Sequence, residues 1–369
     1  MAGKYKGTDP HAPRAGLNRL RRANLKTAGR TGGWERWADD DQAMEQHGAR
    51  GKTSHFAENV LARFNRLARG ADAAPGEAGD VCGFAGSQVV VRGGDGREVT
   101  CVLRRTLLTR IGGVRNPLAV GDRVRWLPDE RAVTAVEPRR SVLARADSHN
   151  KALVHVLCAN LDLVVVVAAL DQPAFKPGFV DRALVLAAAS GIDALLVLTK
   201  ADLADAAAAA ALYRSLAVPV FVSGLGRDGD LPTLRDRLAG RTLCVAGQSG
   251  VGKSTLLNAC FGLDLRTGMV DGDGLGRHTT TSARSVPAPG GGRIIDTPGI
   301  RECALHGLTL TDVGLLMADL AAHRAGCRFA DCSHRHEPGC AVRAAVDAGA
   351  IARSRYASYR SIVDEDLAS

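Results

Sequence analysis

The sequence predicts a multi-domain protein with a small β-barrel, an α/β domain built on a mainly parallel sheet, and a helical C-terminal domain. Three observations support this fold class: short alternating strands up to about residue 145, strands alternating with helices after that, and a cysteine and histidine cluster near the C-terminus. A chain of 369 residues has room for about two to four domains. We expect a basic, flexible N-terminal extension over 1–80, the barrel over 81–145, the α/β domain over 146–305 and the C-terminal domain over 306–369.

Positive charge is concentrated toward the N-terminus. The chain carries a net charge of +9, and residues 1–70 hold 14 Lys and Arg against 7 Asp and Glu. Residues 81–145 hold 12 against 6. Such a surplus favours a surface for a polyanion such as RNA, with salt-sensitive affinity, although charge of this kind also serves solubility.

The composition also indicates the cellular compartment in which the protein is expected. The longest strongly apolar run, 161–170, is far shorter than the roughly 20 residues of a membrane helix. The first 30 residues are basic and polar, which excludes a signal peptide; an organelle transit peptide is disfavoured by the acidic residues at 39–41. Nine cysteines, three of them clustered near the C-terminus, favour metal ligation in a reducing compartment. We expect a soluble, cytoplasmic protein with no membrane partner.

The N-terminal extension shows weak apolar periodicity, and 71–79 has the composition of a linker. Part of 54–69 has apolar residues at helical spacing and predicts an amphipathic helix that forms on binding, or none. These residues are Phe56, Val60, Leu61, Phe64 and Leu67.

Five or so short strands in 81–145 predict a barrel of the oligonucleotide-binding (OB-fold) type. Its arginines make nucleic acid a candidate ligand, and a structural barrel with a solvated charged face is the alternative. They are Arg92, Arg104, Arg105, Arg110, Arg115, Arg123 and Arg125.

The α/β domain contains a complete G-x-x-x-x-G-K-S phosphate-binding loop between a strand and a helix. Backbone amides of such a loop hold phosphates at the positive end of a helix dipole. Lys253 is predicted to reach the terminal phosphates and the Ser254 hydroxyl to ligate Mg²⁺. The residues expected to line the nucleotide are Gly247, Gln248, Ser249, Gly250, Val251, Gly252, Lys253, Ser254 and Thr255.

A T-K-A-D motif, with Thr199, Lys200 and Asp202, follows a predicted buried strand and indicates guanine. Its carboxylate can accept from N1–H and N2–H of guanine, a donor pair that adenine lacks, while the lysine stem covers the base. Ser223 and Gly224 end the next strand and are expected to offer a backbone contact to the guanine O6. An ATP-dependent kinase, the alternative for a phosphate loop alone, is disfavoured by Asp202.

A glycine-rich segment at 271–276 leads into R-H-T-T-T, and a threonine there, for which we choose Thr280, can complete a Mg²⁺ shell. Farther on, D-T-P-G offers Asp296 to Mg²⁺ through water and the Gly299 amide to the γ-phosphate. Ile300 occupies the place where many GTPases have the glutamine that orients water, which predicts slow intrinsic hydrolysis. His278 is a candidate to position water instead; it could equally be a loop residue that contacts RNA or phosphate without catalytic duty.

The base motif precedes the phosphate loop, which reverses the usual order and indicates a circularly permuted domain. The chain after D-T-P-G runs into a C-x4-C-x-H-x5-C cluster, a donor set suited to a closed tetrahedral zinc site. The expected zinc ligands are Cys327, Cys332, His334 and Cys340. A helical tail is predicted over 343–359.

In this combination of motifs, over roughly residues 81–360, the chain resembles the ribosome small subunit-dependent GTPase A family of bacteria. The resemblance implies an OB-fold barrel, a circularly permuted P-loop GTPase domain and a helical zinc-binding domain. It implies hydrolysis of GTP to GDP stimulated by the small (30S) subunit during its late maturation, contact with 16S rRNA through the barrel and zinc domain, and release on hydrolysis. GTP or GDP, Mg²⁺ and one structural Zn²⁺ are the implied cofactors.

Two features depart from the family pattern: Thr199 stands where many members have Asn, and the extension of about 80 residues is longer than the pattern requires. We expect a monomer. The alternative function is a GTP-gated RNA-binding scaffold with incidental hydrolysis, which Ile300 keeps open.

Overall fold

The structure, a computed structural model, describes residues 55–68, 71–104, 107, 118–146, 154–226, 229–264, 283–296, 303, 305 and 307–367. These residues belong to one compact unit that spans Gly51–Ser369. Within the described residues, no helix is long and apolar enough to cross a membrane.

Five strands form a closed barrel: β1 (Glu77–Ala85), β2 (Gln88–Gly93), β3 (Glu98–Leu103), β4 (Arg123–Leu127) and β5 (Ala132–Val136). Around the barrel the order is β1-β2-β3-β5-β4. β3 and β5 pair in parallel, and the other neighbours are antiparallel. Alternate side chains point inward, among them Val81, Val89, Val91, Cys101, Val124 and Val133. The predicted OB-fold barrel is therefore confirmed.

The linker prediction for 71–79 is wrong at its C-terminal end, because β1 already begins at Glu77. Gly79 pairs with Gly93 on one side and Val124 on the other. A Cβ on Gly79 would lie 2.6 Å from Val91 Cγ1 and 2.8 Å from Trp126 Nε1. The glycine here allows close approach of the Trp126 ring to the strand, a packing role that composition does not distinguish from flexibility.

A helix before the barrel, α1 (His55–Leu67), lies within the segment 1–80 and packs on the barrel core through buried Val60 and Phe64. The Arg139 guanidinium lies 3.9 Å from the centroid of the Phe64 ring and forms a buried pair with Asp122 (Nε to Oδ1, 2.6 Å). Asn65 exchanges hydrogen bonds of 2.7 and 2.8 Å with the Arg139 backbone. These contacts attach α1 to the barrel.

A two-stranded antiparallel sheet, β6 (Val142–Ala146) and β7 (Val154–Ala159), connects the barrel to the next domain. Six further strands form one sheet: β8 (Leu163–Ala169), β9 (Asp193–Thr199), β10 (Val220–Val222), β11 (Thr242–Ala246), β12 (Arg284–Pro287) and β13 (Arg293–Asp296). Their order is β10-β9-β8-β11-β13-β12, and β12, at the edge, is antiparallel to its neighbour while the other pairs are parallel.

Helices cover both faces of this sheet, as its long apolar strands require. They are α2 (Pro177–Ala189), α3 (Ala207–Ser215), α4 (Leu231–Leu238) and α5 (Lys253–Phe261). Alternate residues of β8 enter two cores, one shared with α2 and α3 and the other with α4 and α5. The α/β architecture is therefore confirmed, with the strand of the base motif preceding the strand of the phosphate loop.

Four short helices follow: α6 (Leu310–Leu316), α7 (Ala318–Arg324), α8 (Ala341–Asp347) and α9 (Arg353–Ile362), with a π-helical turn over Val363–Leu367. The helical tail predicted over 343–359 is formed by two helices, α8 and α9. Gly349 adopts a φ of 76°, and the Ala350 amide donates to Ala345 O at 2.8 Å, a left-handed cap that ends α8.

A buried ion-pair network joins the C-terminal helices to the sheet. On α9, Arg355 is 4% exposed; its Nη1 lies 2.5 Å from Asp181 Oδ1 on α2, and it donates two hydrogen bonds of 3.0 Å to Asp319 on α7. The Tyr213 hydroxyl on α3 donates to Asp181 at 2.9 Å. Burial raises the pKa of Asp181, which Arg355 opposes. The buried charge of Arg355 is therefore stabilised by Asp181 and Asp319, and their charges are stabilised by Arg355.

We expect Arg355→Met to destabilise the protein by about 3–5 kcal/mol, because it leaves two carboxylates without their buried partner. Arg353→Ala, on the exposed side of the same helix, serves as the control and should change stability by less than about 0.5 kcal/mol. Urea unfolding followed by circular dichroism measures both. If the two variants were equally stable, the buried ion-pair network would not contribute to the stability of the protein as we expect.

Candidate functional site

The phosphate loop lies between β11 and α5, where its conformation depends on glycine. Gly250 and Gly252 adopt φ values of 78° and 89°, a region that other residues rarely occupy. A Cβ on Gly247 would lie 2.7 Å from Val167 O on the neighbouring strand. The first amides of α5 have no carbonyl partner within the helix, so they face the loop as anion donors.

Lys253 begins α5 and is only 4% exposed. Its ammonium donates to Gly247 O at 3.1 Å and Gln248 O at 2.7 Å, so the side chain folds back over its own loop. Ser254 follows at 6% exposure. The loop thus presents an ammonium, a hydroxyl and backbone amides within one turn, which is the donor set that a nucleoside polyphosphate needs.

Thr199, at the end of β9, connects the base motif to the phosphate loop. Its hydroxyl lies 2.6 Å from Val251 O and 3.3 Å from Ala168 O, and the residue is 6% exposed. A hydroxyl has one proton to donate, and the shorter distance assigns it to the loop. Threonine at this position therefore keeps a direct hydrogen bond between the two motifs. The sequence analysis had assigned this residue only to the guanine motif, at a position where many family members have Asn.

Asp202 and the Ser223-Gly224 turn meet, although 20 residues separate them in the chain. The Leu225 amide donates to Asp202 Oδ1 at 2.9 Å, and the Ala201 amide donates to Ser223 O at 3.1 Å. A Cβ on Gly224 would lie 2.9 Å from the Asp202 nitrogen. Glycine is therefore what lets the turn close beside the carboxylate.

Lys200 adopts a φ of 58°, and its ammonium donates to the carbonyl of Gln172. Sequence reasoning missed Gln172, which has no motif and lies in the turn after β8. The base motif, the turn after β10 and the phosphate loop all follow the carboxyl ends of parallel strands, where open α/β sheets bind ligands.

Asp296 ends β13, the strand beside β11, and is half-buried opposite Arg284 of β12. The structure therefore places it one strand away from the phosphate loop. His278, Thr280 and Gly299 lie outside the described residues, and their roles remain predictions.

The predicted metal ligands form one cluster. One ligand atom from each of Cys327, Cys332, His334 and Cys340 lies within 4.8 Å of all the others. His334 Nδ1 is 3.5 Å from the sulfurs of Cys327 and Cys340, which are 4.0 Å apart. Tetrahedral zinc–thiolate bonds separate two sulfurs by about 3.8 Å, so the spacing suits zinc. Burial lowers the pKa of His334, which favours the neutral imidazole that a metal requires.

Residues outside the cluster hold its loop in place. Glu337 accepts hydrogen bonds from the amides of Ser333 (2.9 Å), Arg335 (3.1 Å) and His336 (3.2 Å). Although burial alone would raise it, hydrogen bonds from Ser333 and the backbone hold the pKa of Glu337 well below its usual range. The sequence analysis did not identify Glu337. The indication available was that this acidic residue lies between Cys332 and Cys340 in the sequence.

Two tyrosines of α9 also hold the cluster. Tyr356 donates to His334 O at 2.7 Å, and Tyr359 donates to Ser333 O at 2.9 Å. Their spacing of three residues places both on one face of the helix. The same helix carries Arg355, so the cluster and the sheet are attached to one element.

Ion pairs occupy most of the barrel arginines that the structure describes. Arg92 lies 2.5 Å from Glu98, Arg104 lies 2.6 Å from Glu130, and Arg125 lies 3.2 Å from Glu137. The Arg104–Glu130 pair is the most exposed of the three, and exposed pairs are weak, so Arg104 keeps the capacity to turn toward a phosphate. Arg105, Arg110 and Arg115 lie outside the described residues.

Comparisons with known proteins show the family to which this chain belongs. A family model described as RsgA GTPase matches residues 136–306. A protein of Gemmatimonas aurantiaca is 43% identical over 258 residues, covering 67% of this chain and 84% of the relative. One of Chlorobaculum tepidum is 38% identical over 304 residues, covering 78% and 97%. Both are named small ribosomal subunit biogenesis GTPase RsgA.

Two solved structures are similar in fold. YjeQ from Thermotoga maritima superposes with a TM-score of 0.60 at 28% identity and covers 79% of this chain and 99% of its own. YloQ, described as a circularly permuted GTPase, superposes with a TM-score of 0.57 at 23% identity over 79% and 95%. Because the relatives align over nearly their full length and the permuted sheet carries the expected motifs, the chain belongs to the RsgA GTPase family.

Proposed function

We propose that this protein is a GTPase that binds the small (30S) ribosomal subunit and assists its late maturation, hydrolysing GTP to GDP and phosphate faster on the subunit than alone. The observation that carries the proposal is the direct hydrogen bond from Thr199 to Val251, which joins a guanine motif to a phosphate loop in a chain of this family. The scaffold alternative, with incidental hydrolysis, is not favoured, since the relatives are named as GTPases.

Each part of the nucleotide has a proposed contact. The loop amides of 247–255 and the Lys253 ammonium hold the phosphates, while Asp202 accepts from the guanine edge and Lys200 covers the base. Ser254, Thr280 and, through water, Asp296 would hold Mg²⁺, whose charge would offset that of the phosphates. The Lys253 ammonium, now bonded to two loop carbonyls, exchanges these acceptors for phosphate oxygens when nucleotide binds.

Water positioning must come from a residue other than Ile300, because an isoleucine side chain has no polar atom. We assign this role to His278, whose imidazole can accept a proton from water or orient it near neutral pH. Gly299 contributes a backbone amide to the γ-phosphate. Loss of that phosphate releases the segment after Asp296 and, with it, the factor from the subunit.

We assign one structural Zn²⁺ to Cys327, Cys332, His334 and Cys340. The preformed spacing of their ligand atoms and the buried position of three of them support this assignment. The zinc domain and the barrel together contact 16S rRNA, and the basic surplus of residues 81–145 supports this role for the barrel. We place this activity in the cytoplasm and expect a monomer.

The central experiment is a GTPase assay with and without isolated small subunits. We expect the subunits to raise turnover, because Ile300 stands at the position where many GTPases have the glutamine that orients the attacking water. Large ribosomal subunits at the same concentration provide the control. Equal rates with and without small subunits would favour the scaffold alternative.

His278→Ala should lower the subunit-stimulated rate by about 10²- to 10⁴-fold, the usual contribution of a positioned acid or base. GTP affinity should change little, since His278 is not assigned to the base or to the phosphates. His336→Ala is the matched control, because His336 is exposed and lies outside the metal cluster. A stimulated rate equal to that of the wild type would remove His278 from the mechanism.

For the metal site, elemental analysis should find one zinc per chain in freshly purified protein. Cys332→Ser should abolish stoichiometric zinc and lower the melting temperature, because binding of a structural metal contributes to folding. Cys260→Ser provides the comparison, since Cys260 is a buried cysteine on α5 far along the chain from the cluster. Wild-type protein without zinc would refute the assignment.

A further inference from the structure

An exposed aromatic side chain lies beside the metal cluster. Among the described residues, the exposed large apolar side chains are Val102, Leu203, Leu225, Leu315 and Phe329. Phe329 is the aromatic member, 40% exposed, and it lies in the loop between Cys327 and Cys332. The Arg328 guanidinium lies 5.5 Å from the centroid of its ring. An aromatic face and a planar cation therefore stand together at the surface.

The loop that carries them is anchored at both ends. Arg328 donates its amide to Gly339 O at 3.1 Å, and the Cys332 amide donates to Phe329 O at 3.3 Å. Arg324 Nη2 lies 3.4 Å from Ala330 O. A contact made by an anchored loop loses little conformational entropy on binding.

The surroundings of Phe329 are basic. Arg328 and Arg343 are exposed, and among the described residues neither has a carboxylate partner, unlike the paired arginines of the barrel. The Arg328 amide donates to the Gly339 carbonyl, and the Arg343 amide donates to the sulfur of the next residue, Cys340. Asp331 is the exposed acid of this loop. An unpaired guanidinium group beside an aromatic ring, as Arg328 is beside Phe329, complements the phosphates and bases of a single strand.

We propose that Phe329 and Arg328 form a stacking platform for an unpaired base of RNA, with Arg343 contacting the adjoining phosphates. Unpaired bases are the usual targets of protein aromatic rings and guanidinium planes. A protein partner fits less well, because a hydrophobic contact needs a contiguous apolar patch, whereas here a single exposed ring lies beside the charged Arg328. The inference rests on the proposed function for its source of RNA, the small subunit.

The test compares binding of the full chain to isolated small subunits, with a non-hydrolysable GTP analogue, and to a short single-stranded RNA labelled with fluorescein. We expect Phe329→Ala to weaken both by roughly tenfold, the loss of one base-stacking contact. Phe329→Trp should bind as tightly as the wild type. Phe329→Leu should be as weak as the alanine variant, because leucine keeps apolar bulk but has no π-face.

Leu315→Ala is the matched control: Leu315 is 39% exposed and in the same domain, and its loss should leave both affinities unchanged. Zinc content and melting temperature should be equal in every variant, which excludes misfolding. Arg328→Ala should reduce the slope of log affinity against log salt for both probes.

Wild-type affinity in Phe329→Ala would overturn the platform. Wild-type affinity in Phe329→Leu would also overturn it and would assign Phe329 to an apolar contact with a protein. If the wild-type chain binds the labelled RNA but not the small subunit, and Phe329→Ala weakens that RNA binding, the proposed function fails while the platform stands.

Discussion

The buried guanidinium of Arg355 is the interaction on which the arrangement of the domains depends. It lies between Asp181 on the sheet side and Asp319 on the C-terminal side. A charge this deeply buried is stable only with its partners in place. The helix that carries it also sends Tyr356 and Tyr359 to the metal-cluster loop. The position of the cluster relative to the nucleotide-binding sheet is therefore set by one helix with two sets of polar contacts.

The barrel meets the sheet through the β12–β13 hairpin. Arg293, at the start of β13, pairs with Asp80 of β1, and Arg92 of β2 donates to the Ser285 carbonyl of β12 at 3.2 Å. The same hairpin ends at Asp296, one strand from the phosphate loop. Both accessory domains thus contact elements of the nucleotide-binding domain directly, within the same compact unit.

Motifs and strand types were predictable because they depend on local chemistry. The phosphate loop, the T-K-A-D motif and the cysteine spacing each occupy consecutive residues, and long apolar runs such as 161–170 indicate buried parallel strands. The positions that composition described least well are glycines. Gly79 packs under Trp126 within a strand instead of loosening a linker, and Gly349 divides the predicted helical tail into two helices. At Gly79 a neighbouring ring needs the space of a side chain, and at Gly349 the backbone needs a positive φ; composition does not distinguish the two roles.

The order of the motifs along the chain was enough to establish the permuted domain and the guanine specificity expected of it, because covalent order and side-chain chemistry are both written in the residues. Folding decided which distant groups meet. Thr199 and Val251, 52 residues apart, share a hydrogen bond, and Arg355 pairs with Asp181 across 174 residues. No periodicity links such pairs. Thr199 and Val251 meet because the carboxyl ends of parallel strands lie at one edge of the sheet. Arg355 and Asp181 meet because a buried charge is stable only beside a group of opposite charge.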